Sequence, residues 1–306
     1  MASKKLQLLM LGCLVSPAIL QAQSLKENYI QWQNNKGDKL FRSVEAWQNR
    51  GKVTDDDNFF ISRVKPKARF RNEKTQVLQN LNETNDKRLV AWVPFNNPET
   101  NALPDGIFDS EVFSLWSYVS HWGDWTAPLG RIPAALMDVA HKNGVAVSSA
   151  GTVPYGSLSD EWRSEFRLLN TLDAQKLADY LYYYGQDGLG YNSEWSEFNN
   201  ITRDLRNKHI AVNKLMESRN PIFENMWYGL TTDRGRLSFG NMLDNNFEQT
   251  FGNKDNKAFS LFLNYNWNSD LVLRTSVDYA KTMERDPLYL YAGVNMQGGE
   301  PRQSSW

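Results

Sequence analysis

Residues 174–195 read AQKLADYLYYYGQDGLGYNSEW, and this stretch sets the architecture. Leu177, Tyr180, Leu181 and Tyr184 recur at spacings of three and four, which places them on one apolar helical face over Ala174–Tyr184. Gly185-Gln186-Asp187 then breaks the helix, and Gly188–Tyr191 is a short strand. The same helix-and-strand rhythm extends in both directions. Strands are expected at Leu89–Phe95, Ser114–Ser120, Val145–Ala150, Gly188–Tyr191, Ile222–Tyr228, Ser260–Tyr265 and Tyr289–Gly293. Helices are expected at Ile132–Lys142, Ala174–Tyr184, Thr202–Glu217, Phe239–Glu248 and Leu271–Met283. The first of these stops at Asn143-Gly144, a good C-terminal signal. Repeated βα units in one direction predict an α/β fold, a (β/α)8 barrel with about seven units present. No eighth unit follows Gly293, and an open barrel would leave two bare edges, so the chain is expected to be a truncated form of a longer protein.

The chain has 306 residues, 34 Lys+Arg against 35 Asp+Glu, and a net charge of −1. That balance argues against gripping nucleic acid or an anionic membrane as its main task. With 41% hydrophobic and 23% charged residues, the composition is that of an ordinary globular protein. The unusual feature is 11 Trp, with 13 Tyr and 15 Phe. Indole faces stack well on the C–H faces of sugars, and they equally well fill a core; composition leaves the two readings level.

Lys4 and Lys5 precede an apolar run from Leu6 to Leu20 that Pro17 interrupts, with small residues near Ala22. The run is shorter than the ~20 residues of a membrane span and reads as a secretory signal over 1–22. Lipid attachment at Cys13 is the second reading of this segment. Either way the protein is placed outside the cytoplasm: secreted, periplasmic or on the cell surface. Cys13 is the only cysteine, so the folded part offers no disulfide, thiolate metal site or cysteine nucleophile. Residues 23–88 are polar and mixed and read as an N-terminal extension, with the barrel over 89–306.

Chemistry in such a barrel sits at the C-terminal ends of the strands. Those ends carry Trp92, Phe95 and Asn96; His121 and Trp122; Tyr155; then Asn192, Glu194 and Trp195. Trp227 and Tyr228, Asn264, Tyr265, Asn266 and Trp267, and Asn295 follow. These are aromatics, amides and one carboxylate. His121, His141 and His209 are scattered without ligand spacing, so no metal or other cofactor is expected. On an extended strand Asn192 and Glu194 point the same way. Substrate-assisted glycosidases need one acid/base and a polar group to hold the sugar's 2-acetamido group, which attacks the anomeric carbon itself. Glu194 and Asn192 fit those roles, with Tyr191, Trp195 and Trp227 available to desolvate the carboxyl. Asn-x-Glu is also a common spacing that fits residues merely finishing a strand, and spacing alone leaves both readings standing.

The surrounding words carry more. Phe60-Ile61-Ser62-Arg63-Val64-Lys65-Pro66, Leu89-Val90-Ala91-Trp92-Val93-Pro94-Phe95, Tyr118-Val119-Ser120-His121, Ile132-Pro133 and Ala140-His141-Lys142-Asn143-Gly144-Val145 occur in that order. Lys176-Leu177-Ala178, Tyr184-Gly185-Gln186-Asp187-Gly188, Asn192-Ser193-Glu194, Trp227-Tyr228 and Asn264-Tyr265-Asn266-Trp267 continue it. Across residues 60–299 this ordered set resembles the endo-β-N-acetylglucosaminidases of glycoside hydrolase family 85. Tyr191 and Ser193 stand where that family usually has aliphatic residues. The resemblance implies cleavage of the β-1,4 bond between the two core N-acetylglucosamines of N-linked glycans, by the substrate-assisted retaining route. It implies Glu194 as acid/base, Asn192 as the amide that orients the acetamide, and Tyr228 as a hydrogen-bonding partner of the acetamide or oxazoline. It also implies that Trp227, Trp267, Asn264, His121 and Trp195 line the sugar subsites. Family members continue beyond this point with further β-rich domains, in line with the expected truncation.

Two rivals stand beside this reading. A chitinase-type hydrolase reads D-G-x-D-x-D-x-E on its fourth strand, whereas this chain has Gly190 and Asn192 in place of two of the Asp. A non-catalytic glycan-binding protein on a decayed barrel would keep the aromatics without needing Glu194.

Overall fold

A computed structural model describes Trp47 and residues 60–65, 88–93, 115–116, 118–124, 129–150, 172–196, 201–239, 241–265 and 269–294. The expectations for residues 1–22, Cys13, Phe95, Asn96, Tyr155, Asn266, Trp267 and Asn295 lie outside the described residues. Among the described residues seven strands form one wholly parallel sheet in sequential order: β1 Val90–Trp92, β2 His121–Asp124, β3 Ala146–Ala150, β4 Leu189–Tyr191, β5 Met226–Tyr228, β6 Ser260–Leu263 and β7 Leu290–Ala292. Helices lie between them: α1 Ala134–Lys142, α2 Ala174–Tyr184, α3 Ile201–Met216, α4 Glu248–Phe251 and α5 Asp270–Thr282. The sheet curls into a nearly closed (β/α) barrel, as the repeating pattern of the sequence requires.

The helix read first is also the best punctuated. Asp173 caps α2 by accepting the Lys176 N–H, and Gly185 ends it at φ 79°, a left-handed conformation that a side chain would oppose. Its apolar face (Leu177, Tyr180, Leu181, Tyr184) is fully buried, as the spacing predicts. The extension contributes to the same layer. Trp47 meets Tyr180 edge-on with ring centres 5.3 Å apart, and Phe60 and Tyr184 flank the buried Arg131 guanidinium.

Two expectations require correction. The second strand is His121–Asp124, not Ser114–Ser120. A turn closed by Tyr118 N–H on the Leu115 carbonyl precedes it. Its interior positions are His121 and Gly123, so the strand lacks the apolar alternation that would have marked it. The helix expected over Phe239–Glu248 is also absent from its described residues, and α4 begins only at Glu248. Leu243 N–H instead donates to Ser276 Oγ on α5, and Asn241 takes a positive φ of 56°. Asp233, from the preceding loop, accepts from Gln249 N–H, Thr250 N–H and Thr250 Oγ1, which fixes the start of α4 at its observed place.

The barrel interior is filled unequally. Trp92, at the end of β1, lays its indole across the inside, where a Cβ at Gly123 would lie 2.6 Å from it and one at Gly190 only 1.9 Å. Glycine at both positions is therefore a packing requirement of one large side chain. Towards the N-terminal end of the strands lies a polar cluster. Glu224, buried just before β5, accepts from Arg88 at 2.5 Å, from Tyr291 Oη at 2.7 Å and from Ser260 Oγ. Burial alone would raise its carboxyl, but Arg88, His121 and Ser260 together hold it below the ordinary carboxylate value.

A second buried pair fastens the extension. His141 Nδ1 meets the Val64 carbonyl while Nε2 meets Asp187 Oδ2 at 2.8 Å, and Ser62 Oγ donates to Asp138 at 2.8 Å. Both ring nitrogens face acceptors, so the imidazolium satisfies the site best. Burial works against that charge, but the Asp187 hydrogen bond and charge, the Val64 carbonyl and Asp138 outweigh it, and the His141 pKa is raised.

Two outcomes follow from this packing. Gly190→Ala forces the Trp92 indole aside and is expected to cost about 1–3 kcal/mol, measured as a lowered urea midpoint. His141 contributes stability that is fully present below pH 6.5 and is lost as the pH rises through its raised folded value. Urea midpoints taken across that window should fall for the natural chain and flatten in His141→Gln.

Candidate active site

β4 carries the centre of the site. Its interior face is Gly188, Gly190 and then Asn192, because alternate residues of a strand share a face. Tyr191 points the other way, with its hydroxyl 2.6 Å from His209 Nε2 on α3 and its ring edge-on to Phe259. The strand ends at Tyr191, and the chain beyond it bends: Glu194 N–H closes onto the Asn192 carbonyl at 3.0 Å. Asn192 and Glu194 therefore sit on a tight turn at the barrel mouth, not on an extended strand as the spacing suggested. Both are half-buried.

β5 supplies the next group. Register pairs Gly190 with Met226 and Tyr191 with Trp227, which brings Tyr228 level with Asn192. Met226 faces inward, where its sulfur receives the Trp92 indole N–H. Tyr228 faces inward two residues later, and its hydroxyl donates to Asn264 Oδ1 at 2.8 Å. Asn264 Oδ1 also accepts the Tyr265 N–H at 2.7 Å, so the Tyr228–Asn264 pair is held in place from β6.

The electrostatics fit a proton-transfer site. Burial raises the Glu194 carboxyl above the usual carboxylate range. Burial, Tyr265 and the charge of Glu194 all raise Tyr228, so its hydroxyl stays protonated and within electrostatic reach of the carboxyl. Tyr191 and Trp227, expected to desolvate Glu194, face away from the mouth.

Of the expected site residues, the structure gathers Asn192, Glu194, Tyr228 and Asn264 at one end of the barrel. Three others are corrected. Trp227 is fully buried on the outer face of β5, against Tyr191 and Phe259, with its indole N–H on the Thr231 carbonyl. Adjacent strand residues point oppositely, so Trp227 and Tyr228 cannot both line the mouth. Trp195 is buried edge-on against Trp227 at 5.1 Å and belongs to the same packed layer. His121 opens β2 at the opposite end of the barrel. Its Nε2 lies 2.7 Å from Ser148 Oγ, its ring stacks near Trp92, and burial holds its pKa down.

The structural role of Ser193 and Thr231 went unnoticed in the sequence, where Ser193 stood out only as a departure from the family pattern. Ser193 Oγ donates to the Tyr228 carbonyl, and Thr231 Oγ1 lies 2.7 Å from the Ser193 carbonyl and 3.0 Å from the Trp195 N–H. No pattern of residue types marks them, because they act on backbone groups. Among the described residues no group of three or more His, Cys, Asp or Glu could hold a metal ion, and no helix is long and apolar enough to cross a membrane.

Comparison with known proteins bears on the fold and the family. The chain is similar in structure to the glycoside hydrolase domain of Endo-D from Streptococcus pneumoniae R6, with a TM-score of 0.64 and 22% identity. That likeness covers 80% of this chain and 39% of the Endo-D chain, and it is one of fold. No curated protein matches in sequence. The family model of glycosyl hydrolase family 85 matches residues 96–305, a span that takes in β2 to β7 with Asn192, Glu194, Tyr228 and Asn264. The chain belongs to glycosyl hydrolase family 85.

Proposed function

We propose that this chain is an endo-β-N-acetylglucosaminidase that hydrolyses the GlcNAc-β-1,4-GlcNAc bond in the chitobiose core of N-linked glycans. Family membership supports a glycosidase. The observation that carries the finer reading is a half-buried carboxyl of raised pKa, Glu194, beside the protonated Tyr228 and two residues beyond the interior Asn192.

In this reading Asn192 holds the 2-acetamido group so that its carbonyl oxygen attacks the anomeric carbon. The bond to the leaving oxygen breaks as Glu194 gives that oxygen its proton, and an oxazolinium forms. Tyr228, kept neutral by burial, turns its one hydroxyl proton from Asn264 Oδ1 to the acetamide oxygen as that oxygen's charge changes. Water then adds to the anomeric carbon while Glu194, now the carboxylate, takes the water's proton, and the configuration is retained. A carboxyl raised above its ordinary value is suited to the first, acid step. Asn264 acts by holding Tyr228, and Trp267 is assigned to a sugar subsite by family resemblance alone. Trp227, Trp195 and His121 have no direct role.

An N-glycopeptide incubated with the chain should lose its glycan and retain one N-acetylglucosamine, as read by mass spectrometry. Glu194→Gln should abolish this cleavage and keep glycan binding. A natural chain that binds glycan without cleaving it would instead be a lectin. The alkaline limb of kcat/KM belongs to Glu194 as acid. Activity should be present below its raised pKa and fall as the pH rises through it, with a midpoint above 4.5.

A further inference from the structure

We propose that Thr231 is a positioning residue for Glu194: its one buried hydroxyl fixes the turn that carries the acid/base carboxyl. The inference rests on the role proposed for Glu194. Because β4 stops at Tyr191, no strand ladder holds residues 192–195, and the carboxyl would sit on a loose connection without other ties. The ties come from the segment after β5. Thr231 N–H donates to the Ser193 carbonyl at 3.0 Å, and Trp195 N–H donates to Thr231 Oγ1 at 3.0 Å. The Thr231 hydroxyl proton has two acceptors in reach, the Ser193 carbonyl at 2.7 Å and the Trp195 carbonyl at 2.9 Å. Glu194 is thus gripped on both sides through its neighbours' backbone, while its own side chain stays free for chemistry.

Thr231 is itself fixed. It is fully buried, its carbonyl accepts the Trp227 indole N–H at 2.9 Å, and it pairs with Leu237 across the loop. Ser193 Oγ adds a tie to the Tyr228 carbonyl. The turn bearing Glu194 and the strand bearing Tyr228 are therefore one fastened unit, and the spacing between acid and hydroxyl is set before any sugar arrives. The buried Trp195–Trp227 pair acquires a purpose in the same scheme, as the packed backing of that unit. A valine at 231 keeps the shape and removes the hydroxyl, which leaves Trp195 N–H without its acceptor. The turn then loosens, and the carboxyl gains water.

The test measures kcat, KM and the pH dependence of N-glycopeptide cleavage for the natural chain and for Glu194→Gln, Thr231→Val and Thr231→Ser. Thr231→Val should lower kcat by about 10- to 100-fold, the scale of a misplaced catalytic group, with KM within about twofold. Its alkaline limb should move to lower pH as Glu194 becomes hydrated, and Thr231→Ser should restore both readings. Hydrogen exchange at the Trp195 amide should quicken in the valine variant alone. A valine variant with faster Trp195 exchange but natural kcat and pH limb overturns the inference while the role of Glu194 stands. A natural chain that cleaves no better than Glu194→Gln overturns that role, and this inference with it. If Thr231→Val does not fold, Thr231→Ala, which leaves room for a water at the orphaned amide, is judged by the same kcat and pH readings.

Discussion

One indole decides how the inside of this barrel is divided. Trp92 spans from β1 across Gly123 to Gly190, and neither position has room for a side chain while it lies there. Its ring stands between two different environments. Towards the N-terminal ends of the strands lies the cluster of Arg88, Glu224, His121, Ser260 and Tyr291. Towards the C-terminal ends lie Asn192, Glu194, Tyr228 and Asn264. The indole sets the two groups of ionisable residues apart, and their mutual Coulomb energy falls with that separation. Below it, Arg88, His121 and Ser260 overcome burial and keep the Glu224 carboxylate ionised, while above it burial pushes the Glu194 carboxyl towards the protonated form.

The outer layer serves the mouth in a less direct way. Tyr191, Trp195, Trp227 and Phe259 form a continuous aromatic backing behind β4 and β5. It lies on the outer face of the two strands from which Asn192 and Tyr228 project and holds them in place. The abundance of tryptophan therefore divides by position. In this part of the fold it is packing material.

Helices α1, α2, α3 and α5 were legible because burial is written into a period of three to four residues, most plainly along Leu177, Tyr180, Leu181 and Tyr184, whereas the single turn of α4 is too short to show one. Strands of three to five residues give less room for a pattern, and β2 gives none, since its interior holds His121 and Gly123. Trp92 fills the space that apolar side chains would occupy on β2 and β4, and a sequence does not announce that one residue fills another's place. Asn192, Glu194 and Tyr228 were found because their side chains carry recognisable chemistry. Trp227 was misplaced although the clue was present, for neighbours on a strand face opposite ways and Tyr228 already claimed the interior. The roles of Ser193 and Thr231 were illegible because they bond to backbone, which every residue has.

The lower cluster has a consequence for how the chain acquires its shape. Arg88 and Glu224 are separated by 136 residues, and Tyr291 meets the same carboxylate from 67 residues further on. A growing polypeptide cannot complete this knot until nearly all of the barrel has left the ribosome. Until then the early strands hold only local pairings, and the closing contacts carry a heavy loop-closure entropy. The last step of maturation is therefore collective: the first strand is locked by the seventh, and an interrupted synthesis leaves a half-barrel with an unneutralised guanidinium.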